Sequence, residues 1–424
     1  MMTMMSKDTQ LTHNEKQLLQ HATDLIPFLQ SYARQIDQER HIPDEVIEKL
    51  SAAGLFRLGT RQKYGGHEVS IRAMVEIISE VAKGNGSVGW VVQIINGNNY
   101  NATLSLSEST LDSIFGQHEE VRFCSVLQPR KASIQQTHDG YLIKEGFWGF
   151  ASGSKHATHA LLNINDLNNR SDQQQPEMIL AVIPMDQIDI VDDWYTISLK
   201  GSASNSLKLQ DVFVPNEYIA NTKLSGIEMS QQPSDGINRY KPYTQVITTI
   251  TTGISAILGL ARAAVDCFVQ KAPTRGITMT VHPSQAAVGH IQYHVGLAAM
   301  KVESAHLHIS RTIDHLEDHV QTHRPFTVQE FAQMQTDIAY ASKLCWEAVD
   351  LLVAESGGSF VAESNRLAEI FRDIRGGANH ALTTASTGLE LYGRVLMGQA
   401  PQQTMTLGVA AQLQDLVSAG TYHK

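Results

Sequence analysis

Near residue 121 the hydrophobic pattern of this chain changes period, from the roughly 3.6 residues of a helix to the roughly 2 of a strand, and beyond residue 243 it changes back. Helices, then short strands, then long helices is an order that three units satisfy. The chain is 424 residues long, more than the roughly 250 to 300 over which one core keeps growing. The pattern predicts a multidomain α and β protein: a helical unit over residues 1–119, a small β-barrel or sandwich over 120–221, and a four-helix bundle within 222–424, entered through a linker.

In the first unit Leu18, Ala22, Leu25, Leu29, Ala33 and Ile36 recur at helical spacing, and Pro27 predicts a kink or break in that run. Pro43, Asp44 and Glu45 suit a helix start and Gly54 its end, while Ser70 can cap a helix carrying Met74, Ile78 and Val81. Residues 84–89 spell the GxGxxG of a dinucleotide-binding loop, with Glu108 about 20 residues on. That motif must follow a strand, and residues 73–82 have helix period, so a helix-turn-helix is expected instead. The next helix, over 90–104, carries Gln93, Asn96, Asn98, Asn99 and Asn101 on an otherwise apolar segment. Strands are expected at 121–127, 132–136, 141–148, 159–164, 178–184, 188–191, 194–199 and 205–213. A polar hairpin is read at 165–177, a linker at 222–236, and bundle helices at 247–269, 284–317, 327–354 and 368–396. The first ten residues are expected to fray.

Composition narrows the function classes. Charged residues are only 18% of the chain and hydrophobic ones 42%, which predicts surface buried between subunits. The formal charge of −10 comes with no basic cluster, which argues against nucleic acid and an anionic membrane surface as partners. No run is read as a membrane span. Cys124, Cys267 and Cys345 are odd in number, far apart and without a CxxC or a signal peptide, as expected of reduced thiols in a cytoplasm. His290 and His294, and His315 and His319, stand four apart on helical faces. The first pair has no carboxylate or thiolate near it in sequence and the second sits on a charged surface, so no metal is expected.

The stretch Gly146-Phe-Trp-Gly-Phe-Ala-Ser-Gly153 carries the most chemistry. Its glycines let backbone approach a flat ligand, Trp148 and Phe150 offer ring faces, and Ser152 offers a hydroxyl to a ring-edge atom. The octapeptide reads equally as a glycine-kinked strand whose aromatics fill a barrel core.

Residue by residue, the chain resembles the acyl-CoA dehydrogenase superfamily over nearly its whole length. The residues that carry the likeness are Arg40-His-Ile-Pro43, Gly54-Leu-Phe56, Tyr64-Gly-Gly66 and Gly86-Ser-Val-Gly-Trp90, then 148–153, Leu199-Lys-Gly-Ser-Ala-Ser204 and Asp211-Val-Phe-Val-Pro215, then Gly357-Gly-Ser-Phe360, Arg366 and Phe371-Arg-Asp373. The resemblance implies a helical domain, a central β-barrel and a C-terminal four-helix bundle around a flavin. Where dehydrogenases of that family carry a glutamate base, this chain reads Gly376-Gly-Ala-Asn-His-Ala-Leu-Thr383, with no Asp or Glu between Asp373 and Glu390.

An Arg-Asp pair followed by a histidine resembles instead the two-component flavin-dependent monooxygenases of the same fold. The resemblance then implies an oxygenase component that takes reduced FMN or FAD from a separate NAD(P)H:flavin reductase and uses O2, through a C4a-hydroperoxide, to hydroxylate an aromatic acid. Indole-3-acetate is the leading expectation. A phenol of the 4-hydroxyphenylacetate type, or thioester chemistry without the usual base, are the alternatives. His380 and Ser152 are the implied catalytic residues, with Ser152 at the flavin N5. Trp148, Phe150 and Ser152 are expected to hold the flavin ring, and Arg275, Gly358 and Ser359 its phosphate. Trp90, Asn98, Cys124, Ser125 and Asn379 are expected on the substrate side. Sites completed across subunits imply a homotetramer.

Overall fold

The computed structural model describes residues 11–165, 179–220, 245–322, 324 and 326–399. The start expected to fray, most of the expected polar hairpin and the whole of the expected 222–236 linker lie outside the described residues.

The N-terminal apolar stripe is three helices rather than one, α1 (His13–Asp24), α2 (Ile26–Ser31) and α3 (Ala33–Glu39). Pro27 sits in the first turn of α2, where its missing N–H costs nothing, and it cannot continue the helix before it. Thr12 and Glu15 form a capping box on α1, and Glu15 also accepts the Ser70 N–H at 2.7 Å. After α4 (Asp44–Ala52) come α5 (Ile71–Gly84), α6 (Gly86–Ser105) and α7 (Glu108–Gln117). The GxGxxG stretch is the α5–α6 junction, where the Asn85 side chain caps α6 by accepting from the Val88 N–H.

Two of the polar residues of α6, Asn96 and Asn99, are fixing backbone. Asn96 Oδ1 accepts the Leu58 N–H at 2.8 Å, and its amide donates to the Leu55 carbonyl at 2.7 Å. Asn99 takes the Phe123 N–H at 3.0 Å and gives to the Val121 carbonyl at 2.9 Å. Each buried amide therefore satisfies backbone groups of neighbouring segments.

The expected barrel takes the form of two four-stranded sheets. Strands β1 (Phe123–Val126), β4 (His159–Asn163), β5 (Leu180–Pro184) and β8 (Ile219–Ala220) lie in the order β1-β4-β5-β8; β2 (Pro129–Gln136), β3 (Gly140–Ala151), β7 (Asn205–Pro215) and β6 (Asp189–Val191) lie in the order β2-β3-β7-β6. Ile143, Trp148, Leu207 and Leu209 of one sheet and Cys124, Leu162, Ala181 and Ile183 of the other share a core. Residues 194–199 are not a strand. Their backbone turns through a left-handed Leu199 (φ 48°), whose carbonyl accepts the Trp194 indole N–H at 3.1 Å.

Two of the expected bundle helices are each broken once. The first splits into α8 (Gln245–Thr252) and α9 (Ser255–Lys271) around Gly253. Thr251 and Thr252 turn their hydroxyls back to the carbonyls of Ile247 and Thr248, a habit that bends helices. Taken together, Val246–Lys271 is long and apolar enough to cross a membrane by composition, contrary to expectation, yet 67% of its most apolar window is buried inside the fold. After α10 (Gly289–Thr322) and α11 (Val328–Ala354), the last expected helix is α12 (Arg366–Ala378) and α13 (Ala385–Leu396). The turn between them holds His380.

Candidate active site

Strand β3 makes the site possible by breaking its own register. Its ladder with β7 slips between Trp148 and Ala151, and Phe150 sits there at φ 67°, so a bulge re-aims successive side chains. Trp148 points inward, is fully buried and donates its indole N–H to the Asn163 carbonyl at 2.8 Å. Phe150 points out, 64% exposed, with the Arg130 guanidinium 5.3 Å from its ring centre and the Trp194 ring edge-on at 5.6 Å. The two aromatics thus divide the two readings of the octapeptide: Trp148 is core with no free face for a ligand, and Phe150 offers one.

Ser152 follows at the foot of the strand. Its Oγ accepts the Trp90 indole N–H at 3.1 Å and lies 2.6 Å from Ser204 Oγ, which lies 2.7 Å from Ser202 Oγ. On its other side Trp90 meets the His380 ring in a T-shaped contact, centroids 5.6 Å apart. Residues far apart in sequence, Ser152 and His380, are therefore joined through one indole.

His380 stands just past the C-terminus of α12. Its Nδ1 accepts the Leu382 N–H at 3.3 Å, which leaves the proton of the neutral ring on Nε2. Its own carbonyl accepts from the Thr384 hydroxyl at 2.9 Å. The side chain keeps accessible surface, yet desolvation by the surrounding protein holds its pKa below the ordinary value. Asn379 beside it is exposed and closes the helix, its N–H reaching the carbonyls of Gly376 and Gly377.

The loop that carries Ser202 and Ser204 is strained and clamped. Leu199 and Ala203 both lie in the left-handed region, which costs a side-chain-bearing residue about 1–2 kcal/mol. Asp373 Oδ1 holds the Leu199 N–H at 2.7 Å, and Ser87 Oγ holds the Gly201 N–H at 3.1 Å. Close approach is possible because two neighbours lack side chains: a Cβ at Gly376 would lie 1.9 Å from Ser198 Oγ, and one at Gly86 would lie 2.6 Å from Asp373 Oδ2. Ser202, Ser204 and Asp373 are the residues that sequence reasoning quoted as landmarks without giving them a role. Two serines flanking one small residue were the only signal.

The other expected residues divide. Arg275 donates to Ser359 Oγ at 2.6 Å, and Asn365, the cap of α12, donates to the Ser359 carbonyl at 2.9 Å. Arg275, Gly357, Gly358 and Ser359 thus gather at the N-terminal end of α12, whereas His380 follows its C-terminal end. Thirteen residues separate the two, about 20 Å at the helical rise of about 1.5 Å. Asn98 donates to the Phe123 carbonyl at 3.2 Å, beside half-buried Ser125. Cys124 is fully buried, 3.8 Å from Met185 Sδ, and burial pushes its thiol up to about 12. It therefore lines no open surface. The first histidine pair does meet a carboxylate: Glu355 lies 2.6 Å from His294 and 3.5 Å from His290. Among the described residues no group of three His, Cys, Asp or Glu side chains is arranged to hold a metal ion.

A flat aromatic cofactor fits what is here. Phe150 presents an exposed ring two residues before Ser152, with an accessible histidine joined to that serine through Trp90.

Residues 12–105 match the model of the acyl-CoA dehydrogenase N-terminal domain and residues 252–385 that of the acyl-CoA dehydrogenase C-terminal domain. Among curated proteins, the oxygenase component of p-hydroxyphenylacetate 3-hydroxylase from Acinetobacter baumannii is 27% identical over 92% of this chain and 90% of its own length. An indole-3-acetate monooxygenase from the same species is 27% identical over 87% of this chain and 91% of its own. Among solved structures, XiaF from Streptomyces sp., in complex with FADH2 and glycerol, superposes with a TM-score of 0.84 at 25% identity, covering 93% of this chain and 98% of that one.

Proposed function

Because the chain belongs to the acyl-CoA dehydrogenase family and is a flavin-dependent monooxygenase of the oxygenase-component type, we propose that it hydroxylates a small aromatic acid, with indole-3-acetate the best candidate. The observation that carries the reading is the contact series His380, Trp90, Ser152. It has no carboxylate base, and it puts two polar groups around one place where a flat ring can lie.

Phe150 would stack on the flavin ring and Ser152 would meet its edge; bound there in reduced form, the flavin supplies the activated oxygen. A reductase using NAD(P)H would deliver it. His380 is neutral at pH 7 because its pKa is depressed, and Nε2–H is its free donor. It would orient the substrate by donating to a ring substituent or carboxylate, with Asn98, Ser125 and Asn379 further out on the same side. Trp90 and the buried β core keep water away.

Arg275 and Ser359 lie at the opposite end of α12 from His380, which supports their serving the phosphate of a flavin bound in another subunit. A homotetramer is supported by α10, where Tyr293, Met300 and Leu307 are all exposed at a spacing of seven, an apolar stripe of the kind a second helix covers.

The test is to mix the protein anaerobically with FMNH2 or FADH2, admit labelled O2, and analyse products with indole-3-acetate and with 4-hydroxyphenylacetate. Labelled hydroxyindole product supports the reading. Faster labelling of the phenol would transfer it to phenol chemistry. Hydrogen peroxide alone with both, together with turnover of acyl-CoA thioesters, would overturn it.

A further inference from the structure

Three glycines at the start of α6 and the end of α5 have a packing reason. A Cβ at Gly84, Gly86 or Gly89 would lie 2.7, 2.6 or 2.5 Å from Leu29, Asp373 or Ala82. Gly97 stands well inside α6 and has no such reason: among the described residues no heavy atom lies within 4 Å of where its Cβ would be. Glycine inside a helix weakens it relative to alanine, so this one lowers stability with no close neighbour to require it. Its surroundings say what the space could serve. Although α6 is largely buried, Ile94, Gly97, Asn101 and Leu104 are half-buried, and at about 100° per residue all four fall within about 40° of Trp90. This face starts at the indole that touches both Ser152 and His380. From there it runs away along the helix, reaching Gly97 after about 10 Å and Asn101 after about 16 Å at about 1.5 Å per residue.

A second helix meets the same face at its far end. Val246 and Thr249 of α8, and Gly253 just beyond it, are half-buried at spacings of three and four, and the Thr249 hydroxyl donates to Asn101 Oδ1 at 3.1 Å. Between that contact and Trp90 lies the empty Cβ position of Gly97. We infer that Gly97 is a specificity-determining residue: it leaves room for a side chain carried by the aromatic substrate, running from a ring beside Trp90 and His380 along Ile94 and Gly97 toward Asn101 and Thr249. The inference rests on the reading of His380 as the residue that orients the substrate. It deepens that reading by naming the substrate class, an aromatic ring with an extended side chain that ends in a hydrogen-bonding group, as the amide and hydroxyl at the far end suit. Side chains on a helix lean toward its N-terminus, so a larger residue at position 97 would reach back over Ile94 into the path of that chain.

Gly97→Ala and Gly97→Leu are compared with the wild type by anaerobic calorimetric titration in the presence of FMNH2. The ligands are indole, indole-3-acetate and indole-3-butyrate, and, as a second ring type, phenol and 3-(4-hydroxyphenyl)propionate. Gly97→Leu should lower the affinity of each tailed compound relative to its bare ring by about 10-fold or more, the usual effect of filling a pocket that a substrate group needs. Indole-3-butyrate should lose more than indole-3-acetate, and Gly97→Ala should fall between wild type and Gly97→Leu. Gly97→Ala should at the same time raise the melting temperature, because alanine is the better helix former and has nothing to crowd. Ligand affinity and fold stability then move in opposite directions, which a merely structural glycine would not produce. Gly97→Ala carries the test alone if the larger side chain prevents folding.

Equal losses for bare and tailed rings, or no loss for either, would overturn the role of Gly97 and leave the reading of His380 in place. A lower melting temperature for Gly97→Ala would overturn the open space itself, by showing that the chain packs there. If the wild type binds the phenols and not the indoles, the indole acid is removed from the proposed function, and the phenol pair decides Gly97 by the same ratio. If it takes up FMNH2 and binds neither ring type, both fall.

Discussion

Replacing Asp373 by asparagine should make the protein more stable at alkaline pH than the wild type and leave it equally stable in acid. Asp373 is buried between α12, the start of α6 and the Leu199 loop, and its carboxyl is pushed up to about 7. Burial is the largest cause, Glu369 and Asp37 add repulsion, and the Leu199 N–H and Arg366 oppose it. The ordinary value is 3.8. Below about pH 4 both folded and unfolded chains hold the proton, so burial carries no charge penalty. Between about pH 4 and 7 the folded chain binds more protons than the unfolded one, and stability falls as pH rises; above about 7 the loss is complete. A rise of about three units at about 1.4 kcal/mol each sets a ceiling of about 4 kcal/mol. Asparagine keeps an oxygen for the Leu199 N–H and never ionises. Melting temperatures of both proteins, taken at half-unit steps from about pH 4 to 9, should diverge in favour of Asp373→Asn across this window and then run parallel. Curves parallel throughout would refute a protonated Asp373, and with it the view that this loop is clamped by a neutral acid.

Three further outcomes are expected. His380→Ala should lower product formation by about 10²-fold with flavin affinity unchanged, whereas His380→Gln, which keeps an N–H donor, should recover part of the loss; the acid limb of the wild-type pH profile should lie below 6.5, because the His380 pKa is depressed from that value. Phe150→Gly relieves a left-handed residue and should raise the melting temperature while weakening flavin binding by about 3- to 10-fold through the lost ring contact; unchanged affinity would remove Phe150 from the site. Met300→Asp should convert the assembled protein to a smaller species by light scattering if α10 is the subunit contact, and an unaltered mass would assign the stripe no such role.

Much of this molecule was legible from local signals. The two period changes located the β module, Ser70 marked a real helix start, and the Gly146–Gly153 stretch pointed to Ser152. What was not legible depended on tertiary contacts. Period alone cannot show that Trp148 turns in and Phe150 out, because the bulge that separates them is set by pairing with β7. The break at residues 379–384 has no proline to mark it; Gly376, Gly377 and Asn379 were its local signal, and threonine hydroxyls close the turn. The 194–199 run alternated like a strand, but its backbone is used to deliver Leu199 to Asp373. Glu355 lies 61 residues from His294, so no spacing rule could pair them. Cys124 was expected to face substrate by alignment, and only the packing of β1 against Met185 shows it sealed.

The spacing along α12 carries one more consequence. Asp373 lies within α12 and His380 two residues past its end, so this one helix fixes the clamp on the Leu199 loop relative to the turn bearing the histidine. One residue inserted between them would rotate His380 by about 100° away from Trp90, with the Arg275 and Ser359 end undisturbed. The length of this helix therefore works as a gauge: it sets the angular phase between the two halves of the site.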